Sequence, residues 1–392
     1  MKNSSVRSLM FLQVLKRARY GTIDLTLPDG RRENYGEGLP VIKVAVKTWS
    51  TIDLLFGKGD LGLAETIISG DLEVDDAAAL IEWACKNDQD LGQALYGTWY
   101  GILAEKLKRF LNRNDRKGAK KNILAHYDLG NEFYRLWLDP TMTYSSGIYQ
   151  SPSQTLQQAQ MAKYDRIIDQ LSIKAGDHVL EIGCGWGGFF SRAVERTGCK
   201  VTAVMNSAEQ ARHNRAKINE AGMGSNVELL EQDYRDINGR FDKVVSIEMI
   251  EAVGEKYWNP FFSKVSSSLN TGGLALVQGI TIRDDLFYSY RKNTDFIQQY
   301  VFPGGMLPSH QIINHKSSEH SMNLGDSYFF GLDYAKTLKT WRENFEKALP
   351  EIRKMGFNEE FIRMWNLYFA YCEGAFRAKR IDVGQFLMQK SA

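Results

Sequence analysis

The sequence predicts an α/β protein: a doubly wound, mostly parallel sheet over residues 126–392, preceded by a smaller mixed α/β domain over residues 1–115 and a basic linker at 116–125. Three observations predict it. Beyond about residue 122, short apolar runs alternate with helical patterns, the signature of βαβ units whose ligand sits at the carboxyl ends of the strands. The first of those runs, VLEIGCGWGGFF (179–190), ends in a GxGxGG cluster. Before residue 115 the patterns mix instead, with period-2 alternation in TIDLTLPDGRRENYG around a Pro-Asp-Gly turn.

In chain order, MKNSSVRSLMFLQVLKRARYG opens with apolar residues at helical spacing, and the Pro-Asp-Gly segment follows. KVAVKTWSTIDLLFG, LGLAETIISGDLEVDD and AAALIEWACK complete the first domain. In the second, the helix SQTLQQAQMAKYDRIIDQL leads into strands HVLEIG, KVTAV, NVELLEQD, FDKVVSIEM and GGLALVQGITI, with the helix AEQARHNRAKINEAG among them. DYAKTLKTWRENFEKAL and FIRMWNLYFAYCEGAFRAKRI read as two aromatic-rich helices near the end, after the aromatic run FIQQYVFPGGMLPS. Aromatics at helical spacing are more often core than ligand wall, but this many leave room for a lid over an apolar substrate.

Composition sets the class. With 392 residues, 43% hydrophobic, 24% charged and a net charge of +2, the chain reads as an ordinary globular protein large enough for two domains. It has no run of 18 apolar residues, so no spanning helix is expected. Lys16 and Arg17 interrupt the opening apolar stretch and no small-residue cleavage site follows, which argues against a secretory signal. Cys85, Cys184, Cys199 and Cys372 are scattered, which suits a reducing, cytoplasmic setting and predicts no metal site. Residues 105–121, EKLKRFLNRNDRKGAKK, carry eight Lys or Arg against two acids, with Leu107, Phe110 and Leu111 interleaved. That pattern reads either as a solvated inter-domain helix or as a segment for an anionic membrane surface. No RNP or KH signature accompanies it, so nucleic acid is not expected.

The glycine cluster is ambiguous by itself. A glycine-rich turn between strand and helix brings backbone N–H groups close to a polar ligand. The helix runs on as GFFSRAVERTG without the Lys-Ser or Lys-Thr of a P-loop, which argues against a nucleoside triphosphate. Gly183, Gly185 and Gly188 fit dinucleotide spacing, but the next strand ends in Met205-Asn206-Ser207 with no acid at its tip.

Context narrows the choice. VLEIGCGWGG, LLEQDYRD and FDKVVSIEMIEAVG together resemble the Rossmann-like class I S-adenosylmethionine-dependent methyltransferases. HYDLGNEFYRLWLDPTMTYSSGIY (126–149), SIEMIEAVG (246–254), FPGGMLPS (302–309), DYAKTLKTWRENF (333–345) and IDVGQF sharpen the match, which covers about residues 60–392. They look like the cyclopropane fatty acid synthases and the related enzymes that modify mycolic acids.

The resemblance implies methyl transfer from S-adenosylmethionine to a cis double bond of an acyl chain, esterified in a membrane phospholipid in the cyclopropane-forming members, with later proton loss. It implies cofactor contacts at Tyr144, Ser145, Gly183, Gly185, Met205, Asn206, Gln210, Asp233 and Tyr234. Gln210 would serve the ribose in place of an acid, and Asp233 would accept from the adenine amino group; the bland alternatives are a helix cap for Asp233 and a core ring for Tyr144. Relatives often hold a bicarbonate as base with a Cys, a Glu, a His and a Tyr. Glu251 and Tyr334 match this set, whereas Ser146 replaces the Cys and Gln278 the His, so the carry-over of that base is open. Glu248 is a second carboxylate candidate, as direct base or as support. His126 and Asp128 are expected to fix the segment ahead of the cofactor.

The carbocation such chemistry forms needs a dry site with aromatic faces, for which Tyr334, Phe302, Tyr300 and Trp341 are candidates. The leading expectation is a cyclopropane-forming enzyme, peripheral on the cytoplasmic face of a membrane and favoured by avidity if two copies pair. The rival is methyl or methylene branching without ring closure. A noncatalytic lipid-binding protein and a small-molecule N- or O-methyltransferase remain as other classes.

Overall fold

The computed structural model describes residues 6–92 and 129–391. The basic stretch 105–121, the linker at 116–125, and His126 and Asp128 lie outside the described residues. The chain divides into two compact units: Met1–Asn112, Ser289–Pro303 and Leu338–Arg380 form one, and Arg113–Tyr288, Gly304–Thr337 and Ile381–Ala392 the other.

In the first unit, β1 (Gly21–Thr26), β2 (Arg32–Glu37), β3 (Val41–Val46) and β4 (Leu72–Val74) form a sheet of order β2-β1-β3-β4. β1 and β2 pair antiparallel from Thr26 with Arg32 to Gly21 with Glu37, so Pro28-Asp29-Gly30 lies at the bend of a hairpin. Alternate residues Ile23, Leu25, Val44 and Val46 turn inward to a core shared with Leu80 and Trp83. Asn87 is buried there with its amide fully engaged. Its oxygen accepts the N–H groups of Arg19 (2.7 Å) and Tyr20 (2.9 Å), and its NH2 donates to the carbonyls of Tyr20 and Trp83, both at 2.9 Å.

The aromatic C-terminal helices belong to this unit, which differs from a simple division near residue 115. Helix Ala77–Lys86 buries Leu80 and Trp83 toward the sheet core and Ala78 and Ile81 on another face. Helix Glu359–Arg377 approaches that face closely because Gly374 has no Cβ to strike the Ala78 carbonyl and Ile81. Trp341, fully buried, packs near Phe369 (ring centroids 6.5 Å apart) as core. Tyr300 donates to Glu65 at 3.0 Å, and Phe302 meets Tyr368 edge-on.

The second unit holds β5 (His178–Ile182), β6 (Lys200–Met205), β7 (Val227–Glu231), β8 (Phe241–Ile247), β9 (Leu269–Ile282), β10 (Met322–Phe329) and β11 (Ile381–Lys390). Their order is β10-β11-β9-β8-β5-β6-β7. β5 to β9 are parallel, and β11 runs antiparallel between β9 and β10. Val179, Leu180, Ile182, Val244 and Val245 are all fully buried, as strands covered on both faces require. The chain runs outward from β5 through β6 to β7, then returns to the other side of β5 at β8. That reversal places a crevice at the carboxyl ends of β5 and β8. No helix among the described residues is long and apolar enough to cross a membrane.

Candidate active site

The glycine-rich turn leaves β5 on the crevice side. Gly183, Gly185 and Gly187 have φ of 83°, 52° and 78°, which other residues adopt only with strain. The N–H groups of Gly183 and Cys184 donate to the Val204 carbonyl of β6 at 3.0 and 3.1 Å, fixing the turn to the sheet. From helix Ala208–Glu220, Asn214 donates to the Gly185 carbonyl at 2.8 Å and Lys217 to that of Trp186 at 3.2 Å. Nothing lies within 4 Å of where a Gly185 Cβ would project. The turn is held from behind and open in front, as a ligand approaching backbone requires.

Other expected cofactor residues surround it. Tyr144 packs against Tyr134 and Trp137, and Tyr134 against Trp186 of the turn. Met205 and Asn206 end β6, where Ser207 caps the following helix, and Gln210 lies buried in its first turn. After β7, Asp233 caps the short turn Tyr234–Asp236, and its carboxylate accepts from the Arg235 N–H (2.9 Å), Nε (2.8 Å) and Nη2 (2.5 Å). The capping role is therefore realised at Asp233, at the same strand tip. The Tyr234 hydroxyl is buried and has no hydrogen-bond partner. An open left-handed glycine turn after β5, polar residues at the ends of β6 and β7 and an unsatisfied buried hydroxyl fit S-adenosylmethionine.

The second cluster centres on Glu248, just after β8, rather than on Glu251. Glu248 has a φ of 49°, uncommon for a side chain with a Cβ. Its Oε1 accepts from the Ser145 hydroxyl (2.7 Å), the Ser146 N–H (3.0 Å) and the Gln278 amide (2.7 Å). Its Oε2 accepts from the Tyr334 hydroxyl at 2.6 Å. Gln278, on β9, uses its other N–H on Ser145 Oγ at 3.1 Å, while its oxygen accepts from Gln385 of β11 at 3.0 Å. Gln385 in turn accepts from Arg166 at 2.6 Å. A guanidinium can only donate, so Arg166 sets the orientation of Gln385, and Gln385 that of Gln278, with its NH2 toward the carboxylate.

Lys163, absent from the sequence expectations, is wholly buried and donates to Ser145 Oγ at 2.9 Å and to Gln160 at 2.8 Å. Burial pulls its pKa from the ordinary 10.5 down to about 7, against the attraction of Glu248. Lys163 and Gln278 both donate to Ser145 Oγ, so the one hydroxyl proton of Ser145 points at Glu248. The helical pattern of SQTLQQAQMAKYDRIIDQL placed Lys163 on a helix but gave no sign of which face it shares.

Three expected site residues are placed as follows. Tyr334, anticipated beside Glu251, donates to Glu248. Ser145, anticipated at the cofactor, has its hydroxyl engaged in the carboxylate cluster. The Ser146 hydroxyl donates to the Gly147 carbonyl, and Ser146 reaches the cluster only through its backbone N–H. Glu251 sits apart from these donors: Oε1 accepts the Ile280 N–H and Oε2 is buried without a partner. Burial, and then repulsion by Glu248, push the Glu251 pKa up to about 8. A bicarbonate does not fit this donor set, because the Tyr334, Ser145 and Gln278 donors already converge on Glu248.

Residues 114–386 match the profile of the family described as mycolic acid cyclopropane synthetase. The chain belongs to that family. Among relatives of this mycolic acid cyclopropane synthetase family member, a tuberculostearic acid methyltransferase of Mycobacterium tuberculosis is 40% identical over 283 residues, 70% of this chain and 66% of that protein. A cyclopropane-fatty-acyl-phospholipid synthase of Escherichia coli K12 is 34% identical over 349 residues, 88% of this chain and 87% of that one. The crystal structure of mycolic acid cyclopropane synthase CmaA1 complexed with SAH and CTAB superposes with a TM-score of 0.65 at 31% identity, covering 69% of this chain and 98% of that one. This member of the synthetase family is an S-adenosylmethionine-dependent methyltransferase, with the fold of that class in its second unit.

Proposed function

We propose that the enzyme methylates the cis double bond of an unsaturated phospholipid acyl chain and then removes a proton to close a cyclopropane ring. The observation that carries this reading is the Glu248 carboxylate, held by Tyr334, Ser145 and Gln278 at the end of β8, next to the strand that bears the glycine turn. S-adenosylmethionine, when bound, supplies a methyl on a sulfonium whose carbon–sulfur electron pair departs with sulfur as the alkene π pair takes the methyl. Tyr144 and the glycine turn would hold the donor in line, where fixed geometry replaces a bimolecular encounter. The carbon left positive loses its charge only when a base takes a neighbouring proton. An N- or O-methyltransferase acting on an already nucleophilic atom has less need of a carboxylate so firmly oriented.

The phospholipid assignment draws on the Escherichia coli relative and on the basic stretch 105–121, suited to an anionic, peripheral position on the inner membrane face. Pairing of two copies would strengthen such binding by avidity. A second reading, methyl or methylene branching of the chain, is favoured by the 40% identity to a tuberculostearic acid methyltransferase.

The test is incubation with S-adenosylmethionine and vesicles of a cis-monounsaturated anionic phospholipid, followed by mass spectrometry and proton NMR of the released chains. A gain of one CH2 with upfield cyclopropyl protons is expected. Vinylidene protons, or a methyl branch beside a remaining double bond, would replace ring closure by the second reading. No gain despite cofactor binding would overturn the acyl substrate.

A further inference from the structure

We infer that Glu248 is a built-in base that occupies the anion cradle itself, so that turnover needs no exchangeable bicarbonate or other small carboxylate. The inference rests on the acyl-chain reading and specifies its proton acceptor. Three kinds of donor converge on this one side chain: a phenol, an aliphatic hydroxyl and a carboxamide, joined by the Ser146 N–H. A carboxylate offers about four acceptor sites on two oxygens. Oε1 takes three of these donors and Oε2 takes only that of Tyr334, which leaves Oε2 as the oxygen with room for a further proton. Glu248 is partly exposed while Ser145, Ser146, Gln278 and Tyr334 are buried, so its reachable edge faces away from its supports.

The departures at 146 and 278 become consistent with this arrangement. With a permanent carboxylate in place, position 278 needs two N–H donors in one plane, for Glu248 and for Ser145, and glutamine provides them. Position 146 needs only its backbone N–H. The left-handed backbone at 248 is the geometric means of turning the side chain back toward β9: the Glu248 N–H donates to the Gln278 carbonyl at 2.8 Å while its carboxylate meets the same residue's side chain.

The step balances without another reactant. After methyl transfer, Glu248 takes one proton from the transferred methyl, and the carbon–hydrogen pair closes the third ring bond onto the cationic carbon. The proton ends on Glu248 and is released to solvent, so that the sum is alkene plus sulfonium giving cyclopropane, thioether and one proton.

Two measurements test it. Turnover of the full-length wild type should be the same in bicarbonate-depleted and bicarbonate-supplemented buffer, and calorimetry should detect no bicarbonate binding. Glu248→Gly, tolerated by the left-handed backbone, should lose about 100-fold or more in rate. It should regain activity saturably with bicarbonate and bind that anion in calorimetry. Glu248→Gln should lose activity without rescue, because the amide still fills the cradle, with S-adenosylmethionine affinity unchanged. Bicarbonate stimulation of the wild type, or full activity in Glu248→Gln, would overturn the inference. If no acyl chain is methylated at all, the functional reading fails, and calorimetry still decides the cradle: bicarbonate binding by the wild type refutes the inference, binding by Glu248→Gly alone supports it.

Discussion

The Tyr334 hydroxyl donates to Glu248 Oε2 at 2.6 Å, joining the helix Gly331–Lys347 to the end of β8 across 86 positions of sequence. A hydrogen bond to a charged acceptor contributes about 1.5–3 kcal/mol. Tyr334→Phe should therefore lower kcat by roughly ten- to hundredfold and lower the melting temperature by roughly a few degrees, while leaving S-adenosylmethionine affinity close to wild type. Steady-state kinetics beside calorimetry checks it; a loss confined to cofactor affinity would remove Tyr334 from the carboxylate's support.

The glycines of the turn should separate binding from folding. Gly185→Ala puts a methyl into the open space at a φ of 52°, costing about 1–2 kcal/mol of backbone strain. Cofactor affinity should fall far more than that strain accounts for. Gly188→Ala instead drives a methyl into the Tyr164 ring, whose hydroxyl lies 2.9 Å from that of Thr143. Overpacking of that kind costs about 1–3 kcal/mol, so its signature should be a lower melting temperature. Equal effects of both substitutions on affinity and on melting would contradict the assignment.

Glu251 should be protonated at neutral pH, because burial and the Glu248 charge raise its pKa to about 8. As pH rises past that value, a second negative charge appears beside Glu248, and activity should decline on the alkaline side. Glu251→Gln keeps a neutral side chain at every pH and should abolish that decline while retaining turnover at pH 7. An unchanged alkaline limb would show that another group governs it.

Lys163 should leave a mark on stability. Its pKa is about 7 when folded and near the ordinary 10.5 when unfolded, so between those values the unfolded chain binds the extra proton. The contribution of this group is fully favourable above pH 10.5 and is lost as pH falls to about 7. Lys163→Met removes this dependence, so relative to wild type the variant should gain stability progressively as pH is lowered through that window. Urea midpoints across the window check the slope; parallel curves would mean that Lys163 keeps its ordinary pKa.

The sequence by itself determined the parallel sheet and the cofactor turn. β5 to β9 were legible because each is a short apolar run set off by helical patterns, and Gly183 and Gly185 because a left-handed turn restricts its residues to few types. The Pro-Asp-Gly hairpin was legible for the same local reason. β10 and β11 were not, since MNLGDSYF mixes Gly, Asn and Asp into a strand that exposes much of its length. Only the tertiary structure decided which carboxylate Tyr334 meets. Glu248 and Glu251 are three positions apart and chemically alike, and the choice depends on a left-handed φ after β8 and on β11 lying next to β9, which places Gln385 against Gln278. Lys163 and the aromatic residues of the C-terminal helices follow the same logic. Their spacing gives a helix face, but what covers that face is fixed by packing between segments far apart in the chain, and no local pattern encodes it.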